Sequence, residues 1–171
     1  MKVAVSFFIG LVFLAFAGGE VSAQKREITI ILLRHAEKDL SDPENQSDPN
    51  LSAEGRARAQ RLVKAIGEYK PLQIYTSEYK RTQQTAAPLA EKRKLDIKSY
   101  DTRKLKELAA EIGSAKKSRR IVVVGHNNTT PALANMLLKT NQFKSLGENE
   151  YDKIWVIWLK DGKAKVMILK Y

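Results

Sequence analysis

The chain of 171 residues contains two histidines, and each directly follows a run of apolar, mostly β-branched residues. Arg34-His35-Ala36-Glu37 comes after Ile28-Thr29-Ile30-Ile31-Leu32-Leu33, and Gly125-His126-Asn127-Asn128 comes after Ile121-Val122-Val123-Val124. Such runs read as strands buried on both faces of a parallel sheet. A lone histidine is most often a surface or satisfied core residue. Two of two at equivalent strand ends open into one crevice, because ligands of open α/β sheets bind outside the carboxyl ends of the strands. The run Leu72 to Thr76 adds Ser77 and, four residues later in the first turn of a helix, Arg81. Pro131 suits the first turn of the helix after His126, whose free backbone N–H groups favour an anion. Two imidazoles, two guanidiniums and a helix N-terminus make an oxyanion pocket. Arginine forks match phosphate oxygens bidentately, and a neutral imidazole is a competent nucleophile toward phosphorus.

The elements that must carry these residues alternate. After the first strand, the polar stretch Asp39 to Asn50, with Pro43 and Pro49, reads as a loop. Ser52 can cap a helix in which Ala59, Leu62, Val63 and Ile66 share a face, and Gly67 and Pro71 end it. The strand Leu72 to Thr76 leads to a helix over Tyr79 to Lys94, with a kink expected at Pro88. Asp96 to Tyr100 reads as a third strand, and Leu105, Leu108, Ala109 and Ile112 mark a third helix. Leu133, Leu137 and Leu138 lie on a helix after the second buried strand. Two last strands, Ile154 to Leu159 and Lys165 to Leu169, meet at the turn signal Asp161-Gly162. The expected fold is α/β: a mainly parallel sheet with helices on both faces and a C-terminal antiparallel edge hairpin.

Residues 1 to 23 read as a secretory signal peptide. Lys2 precedes an uncharged apolar stretch from Val3 to Gly19, and Val21-Ser22-Ala23 before Gln24 has the small-x-small pattern of a cleavage site. The apolar stretch falls short of the roughly 20 residues that cross a bilayer, so no stable membrane anchor is expected after cleavage. Residues 24 to 171 then form one domain of 148 residues, exported to the periplasm or secreted. A composition of 43% hydrophobic and 29% charged residues, with 9 Gly and 5 Pro, excludes collagen-like and disordered classes. The absence of Cys excludes a disulfide framework and a lipid-modified cysteine anchor, so the core alone must stabilise the domain. The formal net charge of +11 attracts phosphates, nucleic acid or anionic lipid. The clusters Lys92-Arg93-Lys94, Arg103-Lys104 and Lys116-Lys117-Ser118-Arg119-Arg120 sit near helix ends and read as solvated faces, so no specific nucleic-acid partner is expected.

Four segments together resemble the histidine phosphatase (phosphoglycerate mutase-like) superfamily, in particular its short bacterial phosphohistidine-phosphatase-like branch. They are Leu33-Arg34-His35-Ala36-Glu37, Leu51-Ser52-Ala53-Glu54-Gly55, Ser77-x-x-x-Arg81-x-x-x-Thr85-Ala86 and Gly125-His126-Asn127, in the family's order and rough spacing. The resemblance spans about residues 28 to 140 and departs from the commoner pattern at Ala36, where glycine is usual. It implies that His35 is the nucleophile that becomes phosphohistidine, while Arg34, Arg81 and His126 bind the phosphoryl oxygens. Ser77, Asn127 and Lys38 stand beside them as further substrate-binding candidates. The family's general acid has no motif match, and Asp101, at the end of the third strand, is favoured over Glu37. A structural role is open for both: Asp101 as a helix cap, Glu37 as a partner for Arg34 or Lys38.

The leading reading is thus a metal-independent phosphomonoesterase of the histidine acid phosphatase type, acting without cofactor on a small phosphorylated substrate. A phosphomutase of the same family is an alternative, although mutases resembling this pattern are longer, with segments that enclose the substrate. A binding module for phosphate-bearing polymers is a third, yet it has no need of paired histidines. A catalytic metal is not expected, since without Cys two histidines would need carboxylates arranged around them.

Overall fold

The computed structural model describes residues 26–41, 43–115, 117 and 119–171. The expected leader, residues 1–23, lies outside the described residues, as do Lys116 and Ser118 of the last basic cluster. In chain order the elements are β1 (Glu27–Arg34), α1 (Ala53–Ile66), β2 (Gln73–Thr76), α2 (Lys80–Arg93), β3 (Ile97–Ser99), α3 (Leu105–Gly113), β4 (Arg119–Gly125), α4 (Thr129–Leu138), β5 (Lys153–Lys160) and β6 (Lys163–Lys170). One six-stranded sheet runs β3-β2-β4-β1-β5-β6. The first four strands in that order are parallel, and β5 and β6 add antiparallel pairings beyond β1. This is the fold class expected from the alternation of elements.

Strand alternation decides what each face buries. Ile28, Ile30 and Leu32 of β1 point into a core with Leu108 and Ile112 of α3 and Leu133 and Leu137 of α4. Ile31 and Leu33 point the other way, onto Leu62 and Ile66 of α1 and Ala86 and Leu89 of α2. Having apolar neighbours on both faces is what makes the β1 and β4 sequences unbroken apolar runs. Ser52 caps α1 by accepting the Gly55 N–H, as its type and position predict. Helix α2 runs without interruption across Pro88, which lies in its third turn. At the hairpin tip Asp161 and Gly162 take φ of 51° and 74°, the left-handed pair that a two-residue turn between twisted strands requires. Among the described residues no helix is long and apolar enough to cross a membrane.

Strand β1 lies between β4 and β5, and the carboxyl ends of β1, β2 and β4 stand side by side. The backbone N–H of His35 donates to the Gly125 carbonyl at 2.9 Å, so the segments carrying the two histidines are stitched together immediately beyond the sheet.

Candidate active site

His35 is 4% exposed and His126 8% exposed, with ring centroids 5.4 Å apart and ring planes at 67°. His35 Nδ1 lies 2.7 Å from the Ala36 carbonyl oxygen. A carbonyl only accepts, so Nδ1 carries the proton and Nε2 keeps its lone pair. The loop behind it is fixed in turn: the Ala36 N–H donates to Thr85 Oγ1 at 2.9 Å, and Thr85 Oγ1 donates to the Arg81 carbonyl. His126 Nε2 is 2.8 Å from Ser77 Oγ, which contacts Thr82 Oγ1 at 3.0 Å. The His126 N–H donates to Thr129 Oγ1 at the start of α4. Gly125 is required here because a Cβ would stand 2.8 Å from both Thr129 Oγ1 and Thr130 Oγ1.

Each arginine lies on a tyrosine. The Arg34 guanidinium carbon is 4.0 Å from the Tyr151 ring centroid, and that of Arg81 is 4.2 Å from the Tyr79 ring centroid. Tyr79 also meets His126 edge-on at 5.1 Å, and Tyr151 lies 6.1 Å from His35. Arg34 is 2% exposed, and its Nη1 donates to the carbonyls of Gly147, Glu148 and Glu150 at 2.8, 2.9 and 3.2 Å. Arg81 Nη1 reaches Asp48 at 3.5 Å. The Nε of both arginines is buried without a hydrogen-bond partner among the described residues. A buried, charged N–H donor left unpaired is costly, and an anion in the pocket would satisfy both.

Burial pushes His35 down to about 3, an effect partly offset by its Ala36 bond and reinforced by His126, Arg34 and Arg81. His126 falls to about 4 through burial and the charges of Arg81, Arg34 and Lys38. Both rings are therefore neutral at pH 7. An unfolded histidine titrates near 6.5, so between that pH and about 4 the unfolded chain holds more protons than the folded one. The fold is expected to lose stability as pH falls through that window. Urea midpoints measured from pH 6.5 to 4.5 should fall more steeply for the wild type than for His35→Asn/His126→Asn. Parallel slopes would contradict this electrostatic picture.

The sequence-derived residues separate into those the structure gathers and those it does not. Arg34, His35, Arg81 and His126 converge. Ser77 lies beside them, wholly buried, with its Oγ on the His126 ring. Asn127 ties the loop of Leu146 to Glu148: its carbonyl accepts the Leu146 N–H and its amide reaches Glu148 at 3.4 Å. Lys38 bridges to Leu51 through the backbone. Glu37 is corrected as a proton donor, because Arg58 Nε and Nη2 grip its carboxylate at 2.6 to 3.0 Å and hold it below the usual carboxylate range despite burial. Its partner is thus Arg58, and neither Arg34 nor Lys38. Asp101 stands at the expected edge, yet it accepts the Arg103 N–H as a cap and is forked by the Arg103 guanidinium, which brings it to about 2. A carboxylate held ionised in this way is a poor acid.

Sequence reasoning named Thr85 within its third motif but not its bond to the Ala36 N–H, and it did not foresee Tyr79 and Tyr151 as partners of the two arginines or Thr82 beside Ser77. Nothing in residue type marks Tyr151 as a partner of an arginine 117 positions earlier. Beside Ser77 a cavity of about 610 Å³ opens, lined also by Asp48, Glu78, Tyr79, Tyr100 and Asp101.

The sequence profile of the histidine phosphatase superfamily (branch 1) matches residues 30–110, which include Arg34, His35 and Arg81. Over that segment the chain is similar to the histidine phosphatase superfamily. Solved structures share this histidine phosphatase fold over nearly their whole length. A putative alpha-ribazole-5'-P phosphatase from Escherichia coli aligns with a TM-score of 0.68 and 15% identity, covering 84% of this chain and 97% of the other. The putative phosphohistidine phosphatase SixA from Agrobacterium tumefaciens gives 0.63 and 21%, covering 84% and 98%. A mycobacterial glucosyl-3-phosphoglycerate phosphatase, solved with VO3, gives 0.60 and 19%, covering 78% and 97%. At these identities the likeness is one of fold. No curated protein matches the chain in sequence.

Proposed function

We propose that this protein is a metal-independent phosphomonoesterase that turns over through phosphohistidine on His35. The observation that carries the reading is the geometry of His35: Nδ1–H held by the Ala36 carbonyl, Nε2 left as a neutral lone pair, and two buried, unpaired arginine Nε groups beside it. In-line attack forms the Nε2–phosphorus bond as the phosphorus–oxygen bond to the alcohol breaks. Arg34, Arg81 and His126 meet the charge on the equatorial oxygens. Water then attacks phosphorus, the nitrogen–phosphorus bond breaks and inorganic phosphate leaves. The names of the fold relatives, three phosphatases with different substrates, support a hydrolase acting on a small phosphorylated compound, and two putative SixA proteins among the relatives support the short branch.

The leaving oxygen needs a proton. With Glu37 and Asp101 tied to arginines, that role falls to Glu78, a residue that lines the cavity beside Ser77. Turnover of p-nitrophenyl phosphate should survive EDTA and be inhibited by vanadate, a mimic of the five-coordinate phosphoryl centre, because arginines supply the positive charge. Strict dependence on an added divalent ion would refute the reading. In the same assay Glu78→Gln should slow alkyl phosphates far more than the aryl ester, whose leaving group needs little protonation. Equal losses on both would remove Glu78.

Export is proposed from residues 1 to 23 alone, with a periplasmic or secreted destination. The exported form should have an intact mass beginning at Gln24, and a retained Met1 would contradict cleavage.

A further inference from the structure

The edge of the sheet opposite the two histidines is chemically different from the edge that bears them. The parallel strands begin there with Glu27, Gln73, Ile97 and Arg119, and helices α2 and α4 end there. Because Glu27 pairs with Lys160 in the antiparallel register, the β5–β6 hairpin tip lies at the same edge. Between that tip, the end of α4 and the start of β1 is a cavity of about 490 Å³. Arg26, Lys139, Lys160 and Lys163 line it, with Met136 and Leu159 as apolar wall and Asp161 as its one acid. Lys139 sits in the left-handed conformation at the α4 C-cap, φ 53°, and is exposed like Lys160 and Lys163. Exposed Lys70 and Lys94 stand at helix ends of the same edge in the same conformation, with φ of 46° and 54°. Lys160 pairs with Glu27 at 3.2 Å, but the pair is about half exposed on both sides and is worth little against a second anion.

We propose that this edge docks on the surface of an anionic phospholipid bilayer, with lipid phosphates at Lys139, Lys160 and Lys163 and the first acyl carbons against Met136 and Leu159. One observation selects lipid over another polyanion: the cations surround an apolar wall, which a nucleic-acid backbone would leave unused. The attraction is the ordinary one of basic side chains for an anionic leaflet. Docked this way, the strand ends bearing His35 and His126 face the aqueous side.

The test is flotation of the full-length protein with vesicles of phosphatidylcholine alone or with roughly 30% phosphatidylglycerol. The apolar leader is common to all samples, so the ratio of anionic to neutral partition is the readout. We expect the wild type to favour anionic vesicles and to lose that preference in high salt. K139Q/K160Q/K163Q should weaken partition to anionic vesicles on the order of 100-fold, at about fivefold per lysine. K104Q/K106Q/K144Q removes the same charge from lysines elsewhere and should keep nearly all of the binding. Urea midpoints equal to wild type establish that both variants are folded. Equal partition into the two vesicle types, or equal losses in the two variants, would overturn the proposal. So would binding of a duplex DNA of about 20 base pairs that falls in parallel with vesicle binding in the first variant, since the edge would then be a general polyanion site.

Discussion

Replacing His35 with alanine is expected to abolish phosphatase turnover, with a loss on the order of 10³-fold or more, because the covalent route disappears with the nucleophile. Anion binding should survive the change. Arg34 is held by three loop carbonyls and by Tyr151, and Arg81 by Asp48 and Tyr79, none of which involves the His35 ring. His35→Ala should therefore still bind vanadate weakly while hydrolysing nothing. In the wild type, rapid acid-free quenching during turnover should trap acid-labile phosphate on His35. An active His35→Ala enzyme, or phosphate trapped on His126 instead, would sink the mechanism.

Arg34→Lys is expected to be nearly as damaging, although it conserves charge. A lysine cannot present the planar face that lies on Tyr151, nor direct one nitrogen to the carbonyls of Gly147, Glu148 and Glu150 while another N–H stays aimed at an anion. Loss of one preorganised donor to a developing oxyanion costs about 10² to 10³ in kcat. Losing these partly buried bonds from a charged donor should cost a further ~1.5–3 kcal/mol of stability. Kinetics together with urea unfolding check both effects. A variant that keeps wild-type kcat would show that Arg34 acts as a strut for the loop and does not touch the phosphoryl group.

What the sequence made legible follows from local chemistry. The β1 and β4 runs announce themselves because both faces of those strands are buried, and Ser52 and Asp161-Gly162 mark a cap and a turn by rules that operate within a few residues. From two such strands the rule of strand ends brings Arg34, His35 and His126 together without any coordinates. The misplacements have the opposite origin. Glu37 is claimed by Arg58, a pairing made across the turn between β1 and α1, so its neighbourhood in sequence says nothing about its partner. Asp101 was legible as a cap or as an acid, and only the Arg103 fork decides between them. Tyr151 and the loop Gly147 to Glu150 reach Arg34 through a connection whose path no periodicity encodes.

The joining of Arg34 to carbonyls 113 to 116 residues further along the chain also bears on how the molecule comes into being. Contacts so distant in sequence close late, since the entropy of a long loop must be lost before they form, and strand β1 has distant partners on both sides in β4 and β5. The anion pocket is accordingly among the last parts of the protein to exist. A chain emerging from a ribosome or a translocation pore carries His35 early, but it has no seat for Arg34 until the segment up to Tyr151 has followed. Until then the chain carries an imidazole without its phosphate clamp, and the capacity to bind an anion reports that the segment up to Tyr151 is in place.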